Sequence, residues 1–212
     1  MECLRRHHVG GAVGADGDSR FSAVIDLCAE QGPPQDWARF RALALEPDVA
    51  RLQQWLESLL VTDPPGTDTR VLWFGLCNPI RDGEPTSDLA VRGFAVHPDG
   101  AGPITWEPSN AEAGSEVLAQ IHALAYSQGE GAGAGDASGE DEHDEDDESG
   151  NDAEWALCLA YAGLVVRTLA GELAPELFVG QATERELLFG FDSGDIIRLG
   201  TISRDGLRLQ DT

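Results

Sequence analysis

Two residues, Cys77 and Ser193, have side chains that could serve as nucleophiles. A cysteine thiol attacks electrophiles when a histidine elsewhere in the chain takes its proton. Cys77 lies in an apolar run, however, which favours an inert core thiol. Ser193 lies in the sequence Asp-Ser-Gly-Asp, which is typical of a tight turn, and the chain has no Gly-x-Ser-x-Gly motif. We therefore predict no catalytic residue at either position.

Histidines and cysteines, the usual ligands of transition metals, are scattered along the chain. No two of them have the spacing of a His-Glu-x-x-His or Cys-x-x-Cys metal site. The glycines of Gly-Ala-Gly-Ala-Gly at residues 131–135 follow no predicted strand, so they do not indicate a nucleotide-binding loop. The acidic run at residues 141–148 lacks the glycine and the spaced ligands of a calcium-binding loop. The sequence predicts no metal ion and no cofactor.

Glu184 and Glu186 are two positions apart in a predicted strand, which places both carboxylates on one face and Arg185 on the other. Paired carboxylates can serve acid–base catalysis. On an exposed sheet face such a pair is more often part of a polar surface. We therefore identify both glutamates as candidates for contact with a partner.

Three further candidates for partner contact are Trp73, Arg92 and Trp106. Tryptophan and arginine are enriched among the residues that dominate the energetics of protein interfaces. The structural alternative is that Trp73 belongs to the core and that Trp106 fills a loop between Pro103 and Pro108.

The charge of the chain restricts its partners. The 212 residues include 38 acidic and 14 basic side chains, which give a formal net charge of −24. This charge repels nucleic-acid phosphates and anionic membrane surfaces, so we predict neither as a partner and expect a basic protein instead. All basic residues are arginine, which excludes mechanisms that need a lysine from this chain. A lysine-free composition is also typical of a high-GC bacterial genome.

The first half of the chain is predicted to contain helices followed by a β-hairpin. Apolar residues recur at helical spacing over residues 21–31, 36–45 and 47–62. Residues 70–77 and 86–96 have the composition of strands, the first of them apolar on both faces and therefore central in a sheet. Residues 111–127 are predicted to form a further helix.

Two segments are predicted to be disordered. Residues 1–19 form a Gly/Ala/Asp-rich leader without the hydrophobic run of a secretory signal. Residues 129–152 contain 11 acidic residues, no arginine and no large apolar residue, so like charges repel and nothing can be buried. Subtracting these 11 acidic residues from the charge of −24 leaves −13 on the remainder. We expect one domain, made of residues 20–128 and 153–212, with the acidic insertion between them.

The second half is predicted to contain a buried helix and a β-meander. Residues 153–171 are apolar nearly all round, which indicates a central buried helix with Trp155, Leu159, Val166 and Leu169 in the core. Residues 177–181, 185–191, 196–202 and 207–209 are predicted strands separated by turn sequences. The whole chain is therefore predicted to have an α+β fold.

Three functional hypotheses follow from these features. The leading one is a non-catalytic protein-binding module, such as an inhibitor or immunity-type partner of a basic protein. The alternatives are an enzyme whose site is assembled from distant residues, and a structural or regulatory subunit of a larger assembly. The longest uncharged apolar run is about half of the ~20 residues that span a membrane, and the isolated cysteines favour a reducing compartment. We therefore expect a cytoplasmic protein.

Overall fold

The computed structural model describes residues 15–31, 36–78, 80–81, 84–98, 102–126, 151–173 and 175–210. Most of the predicted leader and nearly all of the predicted acidic insertion lie outside these residues. Two described helices reach into those segments. The first helix begins at Ala15, and the fifth begins at Asn151.

The described residues form six helices and nine strands. The helices are α1 (Ala15–Gln31), α2 (Trp37–Arg41), α3 (Leu45–Thr62), α4 (Glu116–Tyr126), α5 (Asn151–Glu172) and α6 (Pro175–Val179). The strands are β1 (Val71–Cys77), β2 (Ile80–Arg81), β3 (Glu84–Pro85), β4 (Asp88–Phe94), β5 (Ile104–Trp106), β6 (Glu112–Gly114), β7 (Glu184–Phe191), β8 (Ile197–Ser203) and β9 (Gly206–Leu209). The predicted α+β class is confirmed.

One mixed sheet of seven strands organises the fold. Its order is β5-β4-β1-β7-β8-β9, and β6 pairs with the other end of β4. The predicted hairpin is present, because β1 and β4 are antiparallel, with Trp73 opposite Arg92. β1 also pairs in parallel with β7, the one parallel pair in this sheet. β1 therefore lies in the centre of the sheet, as its two apolar faces predicted.

The C-terminal meander is confirmed with three antiparallel strands, β7, β8 and β9. The prediction of a fourth strand at residues 177–181 is wrong, because residues 175–179 form α6. Pro175 occupies the first position of this helix, where a missing N–H is tolerated. Phe178 and Val179 are buried in the core. A short apolar run does not distinguish a strand from a buried helix by periodicity.

The helix predicted from residue 111 begins only at Glu116. Residues 112–114 form β6 instead, which pairs with β4 from Asp88↔Gly114 to Ala90↔Glu112. Ser115 precedes α4, and its Oγ accepts a hydrogen bond from the N–H of Leu118 at 3.1 Å. This is the geometry of an N-cap. Sheet pairing has here overridden the helix propensity of Glu112 and Ala113.

The core lies between the helices and one side of the sheet. α5 is its central element, and Leu159, Val166 and Leu169 are buried as predicted. Trp155 is 46% exposed, so its predicted place in the core is wrong. Within the described chain one helix, Ala153–Glu172, is long and apolar enough to cross a membrane, and 61% of that window is buried inside the fold. A core helix has the same composition.

The two sides of the sheet differ in what covers them. The helix-facing side contributes Leu72, Phe74 and Val91, among others, to the main core. On the opposite side, called here the open side, Val71, Trp73 and Leu188 form a second, small apolar cluster with Phe94 and Ile196. This cluster contains only strand residues and the residue before β8.

Candidate functional site

Trp73 and Arg92 are cross-strand neighbours on the open side of the sheet. Trp73 is 7% exposed, and its indole lies over Gly75, where any Cβ would overlap the ring. Its buried Nε1 has no hydrogen-bond partner among the described residues. Arg92 is half-buried and forms an ion pair with Glu107, with 2.9 Å between Nε and Oε1. Trp73 thus packs as a structural residue, while Arg92 keeps part of its guanidinium at the surface.

Trp106 lies on the other side of the sheet. Its indole is buried in the main core, and its Nε1 donates to the carbonyl of Asp63 at 2.8 Å. Asp63 follows α3 directly, so Trp106 ties the end of that helix to β5. The structure therefore separates Trp106 from Trp73 and Arg92.

The two glutamates of β7 lie on the open side, as their spacing predicted. Glu184 is exposed opposite Ser203. Glu186 is half-buried and pairs with Arg198, with 2.5 Å between Oε1 and Nε. Their carboxylates are thus placed on a sheet surface, and that of Glu186 already has a cationic partner.

Arg185, between these glutamates, is almost fully buried on the helix-facing side. Its Nη2 donates to the carbonyls of Pro65, Gly66 and Val179 at 3.0–3.1 Å. Burial lowers the pKa of the guanidinium to about 10, although nearby Asp68 opposes that shift. Arg185 thereby joins the loop after α3 to the end of α6, a structural role.

A buried polar network that the sequence did not reveal is centred on Asp48 of α3. Its carboxylate accepts hydrogen bonds from the Ser115 hydroxyl and the Tyr161 hydroxyl, both at 2.6 Å, and from the N–H of Glu116 at 3.0 Å. Arg51 pairs with the same carboxylate. Burial, followed by the charge of Asp48, raises the pKa of Tyr161 and keeps its hydroxyl protonated. These hydrogen bonds join α3, α4 and α5. Because Asp48 is 4% exposed, its carboxylate is not accessible to a substrate in solvent.

Two thiols line the same small cavity at one end of the sheet. Cys77 ends β1, Cys158 lies on α5, and both line a cavity of about 10 Å³, roughly the space of one water molecule. Burial is the main cause that raises the pKa of each thiol to about 12, and neighbouring carboxylates add to it. Only a thiolate is an effective nucleophile. These positions therefore favour inert thiols, as the apolar sequence around Cys77 indicated.

Carboxylates from several separate chain segments surround this end. Asp88, Glu112 and Asp192 contribute to the raised pKa of Cys77, and Glu154 contributes to that of Cys158. The carboxylate of Glu154 also contacts Nδ1 of His122, with 2.6 Å between Oε1 and Nδ1. We call this region the acidic end and define it by five residues. They are Asp88, Glu112, Glu154, Asp192 and Asp195.

Trp155 stands at the surface of the acidic end. Its ring stacks on Phe191, with 6.5 Å between ring centroids and 19° between the ring planes. Its Nε1 donates to Oδ2 of Asp195 at 3.1 Å. Nearly half of the side chain remains accessible to solvent. The sequence contained this tryptophan, but helical periodicity assigned it to the core because position 155 continues the stripe of Leu159 and Val166.

Two larger depressions lie on the described surface, and the first of them includes Glu112 of the acidic end. One, of about 340 Å³, is lined by Arg92, Glu107 and residues 108–112. The other, of about 360 Å³, lies between α1, α2 and the start of α3, and Arg41 of the Arg41–Asp26 ion pair lines it. Neither is lined by a histidine or a cysteine. Over the described ranges, no three His, Cys, Asp or Glu side chains are arranged to hold a metal ion.

No family model, no curated protein and no solved structure matches this chain.

Proposed function

We propose that this chain is a non-catalytic protein-binding module whose partner is a basic protein. The observation that supports it is the convergence of carboxylates from β4, β6, α5 and the loop after β7 at the acidic end. Glu112, Asp192 and Asp195 are exposed there. Asp88 and Glu154 are buried below this surface and add to its negative field. Such a surface attracts cationic partners over several ångströms and accelerates their association.

The segment that precedes α5 in the sequence has the same sign of charge. Residues 144–148 are all acidic and precede α5 by two positions. Without residues 129–152 the chain still carries a formal charge of −13. We therefore expect the folded part to retain the partner when the acidic run is removed, with a shallower dependence of affinity on salt.

A non-catalytic role is also consistent with the chemistry of the described groups. The thiols have raised pKa values, and the carboxylates of Asp48 and Glu186 have hydrogen-bonding or ionic partners within the fold. The free thiols Cys28, Cys77 and Cys158 suit a reducing compartment, so we place this function in the cytoplasm.

Two double variants with the same change in charge test where the partner binds. The first is Asp192→Arg with Asp195→Arg, at the acidic end. The second is Glu184→Arg with Glu186→Arg, on the open side of the sheet. A basic protein captured from the native lysate is purified, and its association rate is measured between low and high salt. We expect the first variant to slow association about tenfold or more at low salt, and the second to have a much smaller effect.

The opposite ranking would move the contact to the open side of the sheet and keep a basic partner. Capture that yields no salt-sensitive basic protein, with or without residues 129–150, would contradict the proposed function. A hidden enzymatic site would then become the leading hypothesis, and the two larger depressions would be the places to test for ligands.

A further inference from the structure

Trp155 differs from the other large apolar residues of α5 in being exposed. It is 46% accessible, whereas Leu157, Leu159 and Tyr161 on the next turns are buried. Tryptophan is among the residues most enriched at binding hot spots. Burial in the core therefore does not account for a tryptophan at this position of the central helix.

Contacts within the fold hold the exposed indole in a fixed position. Phe191 stacks against the ring, and Asp195 accepts the hydrogen bond of its Nε1. A side chain that is already ordered loses little conformational entropy on binding. Because Nε1 is used internally, the surface that the indole offers to a partner is its π system.

The charges around Trp155 determine what that π surface can bind. Asp195 touches the indole, Asp192 lies three residues before it, and Glu154 precedes Trp155 on α5. An anion or a plain apolar side chain gains nothing from these carboxylates. A cation is stabilised by two interactions, with the face of the ring and with the negative field of the carboxylates. Arginine is the cation best suited to this combination, because its planar guanidinium stacks on aromatic rings and donates to carboxylates in the same geometry.

We propose that Trp155, supported by Phe191 and held by Asp195, is the binding site for an arginine side chain of the basic partner. This inference rests on the proposed function and assigns its anchoring contact. The guanidinium would lie over the exposed indole and donate hydrogen bonds to a carboxylate at the rim.

The test uses three short peptides of equal length as probes, with acetylated and amidated ends. They contain four arginines, four lysines, or four citrullines, which keep the shape of arginine without its charge. Affinity for the full-length chain is measured by calorimetry at low and at physiological salt. The indole N–H resonance of Trp155, assigned by its loss in Trp155→Phe, reports whether the peptide reaches this ring.

We expect the arginine peptide to bind more tightly than the lysine peptide and to shift the Trp155 resonance, and the citrulline peptide not to bind. Trp155→Leu should weaken binding of the arginine peptide by about fivefold or more, and Trp155→Phe should weaken it less, because phenylalanine keeps a weaker π face. Trp55→Leu is the matched control. Trp55 is half-buried on α3 and donates to the carbonyl of Asn110 instead of to Asp195, so its loss should leave peptide affinity unchanged.

Several results would overturn the arginine site. One is unchanged affinity in Trp155→Leu with the wild-type melting temperature, and another is equal affinity for the arginine and lysine peptides. Absence of any peptide binding at low salt would also overturn it. The proposed function is tested separately, by capture of a basic protein and by the salt dependence of its binding. If the arginine site fails and that capture succeeds, the protein binds its partner through charge without this anchoring contact.

Discussion

Individual residues with buried polar groups have the clearest structural roles in this protein. Asp48 and Arg185 are both charged and both nearly inaccessible, and each connects chain segments that are far apart in sequence. Buried charges are tolerated when hydrogen bonds compensate for lost hydration. At Arg185 the compensation comes from Nη2, because Nε and Nη1 have no hydrogen-bond partner among the described residues. Removing one partner then leaves the others unsatisfied, which makes these residues suitable for a stability test.

Asp48→Asn is expected to destabilise the fold. The NH2 of asparagine cannot accept a hydrogen bond, so the donors at one of the two oxygens lose their acceptor: either the Ser115 and Tyr161 hydroxyls at Oδ2 or the Glu116 N–H and Arg51 at Oδ1. Each buried donor left unpaired costs about 1–3 kcal/mol. Urea denaturation measures the loss in unfolding free energy. Glu46→Gln is the control, because Glu46 is an exposed carboxylate in the same turn of α3, and its effect should stay within about 0.5 kcal/mol. Equal effects of both substitutions would show that the network does not stabilise the fold.

The raised pKa of the Cys158 thiol should make the free energy of unfolding depend on pH. Burial, and then Glu154, raises its pKa from 9.0 to about 12. Between these values the folded protein keeps the proton while the unfolded chain loses it. The stabilisation is therefore complete below pH 9 and is lost as the pH rises toward 12. Cys158→Ala should remove a slope of about 1.4 kcal/mol per pH unit from urea denaturation measured at pH 9–11. Identical slopes in the two proteins would contradict the raised pKa.

At the scale of elements, α5 is the helix on which the fold is assembled. It contacts α1, α4 and the helix-facing side of the sheet. The sequence predicted its burial from its composition, and the structure confirms this for Leu159, Val166 and Leu169, whereas Trp155 is exposed. Truncating a buried residue of α5 should therefore affect the whole fold.

Leu159→Ala is expected to cost about 2–5 kcal/mol of unfolding free energy, because it removes buried surface and leaves a cavity. The matched control is Leu27→Ala on α1, where the leucine is 52% exposed and the same substitution should change stability by about 0.5 kcal/mol or less. Thermal or urea denaturation of the two variants provides the comparison. A cost for Leu159→Ala as small as that of the control would mean that this face of α5 is not part of the core.

The elements that the sequence assigned wrongly are short. Residues 112–114 and 175–179 are three and five residues long, so too few side chains are available to distinguish a helical period from an alternating one. Their neighbours decide their conformation. β4 offers a free edge to β6, and the buried side chains of α6 pack into the core as a helical turn.

At the scale of the whole molecule, the fold closes by pairing its two halves. β1 from the first half and β7 from the second are parallel neighbours in register from Val71↔Glu186 to Leu76↔Phe191. Residues 129–150 lie between these halves in the chain, after α4 and before α5. Because both halves contribute strands and core residues, the connection between them need not contribute packing of its own.

Deleting residues 129–150, with a short Gly/Ser bridge that leaves Asn151 at the start of α5, is expected to keep the melting temperature within a few degrees. The reason is the density of like charges and the lack of large apolar residues in this segment. A companion variant of full length, with its acidic residues replaced by Asn and Gln, separates the effect of charge from that of length. A collapse of stability in the deletion variant would show that the segment packs on the fold or binds an ordering ion.

The sequence by itself determined the fold class, the central position of β1, the burial of most of α5 and the strong negative charge. These features depend on composition and on periodicity over eight or more residues, which local chain geometry translates directly into structure. Only the tertiary structure decided the parallel pairing of β1 with β7, the network around Asp48 and the exposure of Trp155 beside Asp195. The physical reason is that each of these depends on contacts between residues 40 to 115 positions apart in the chain, and no local pattern encodes which distant side chain will satisfy a hydrogen bond or cover a ring.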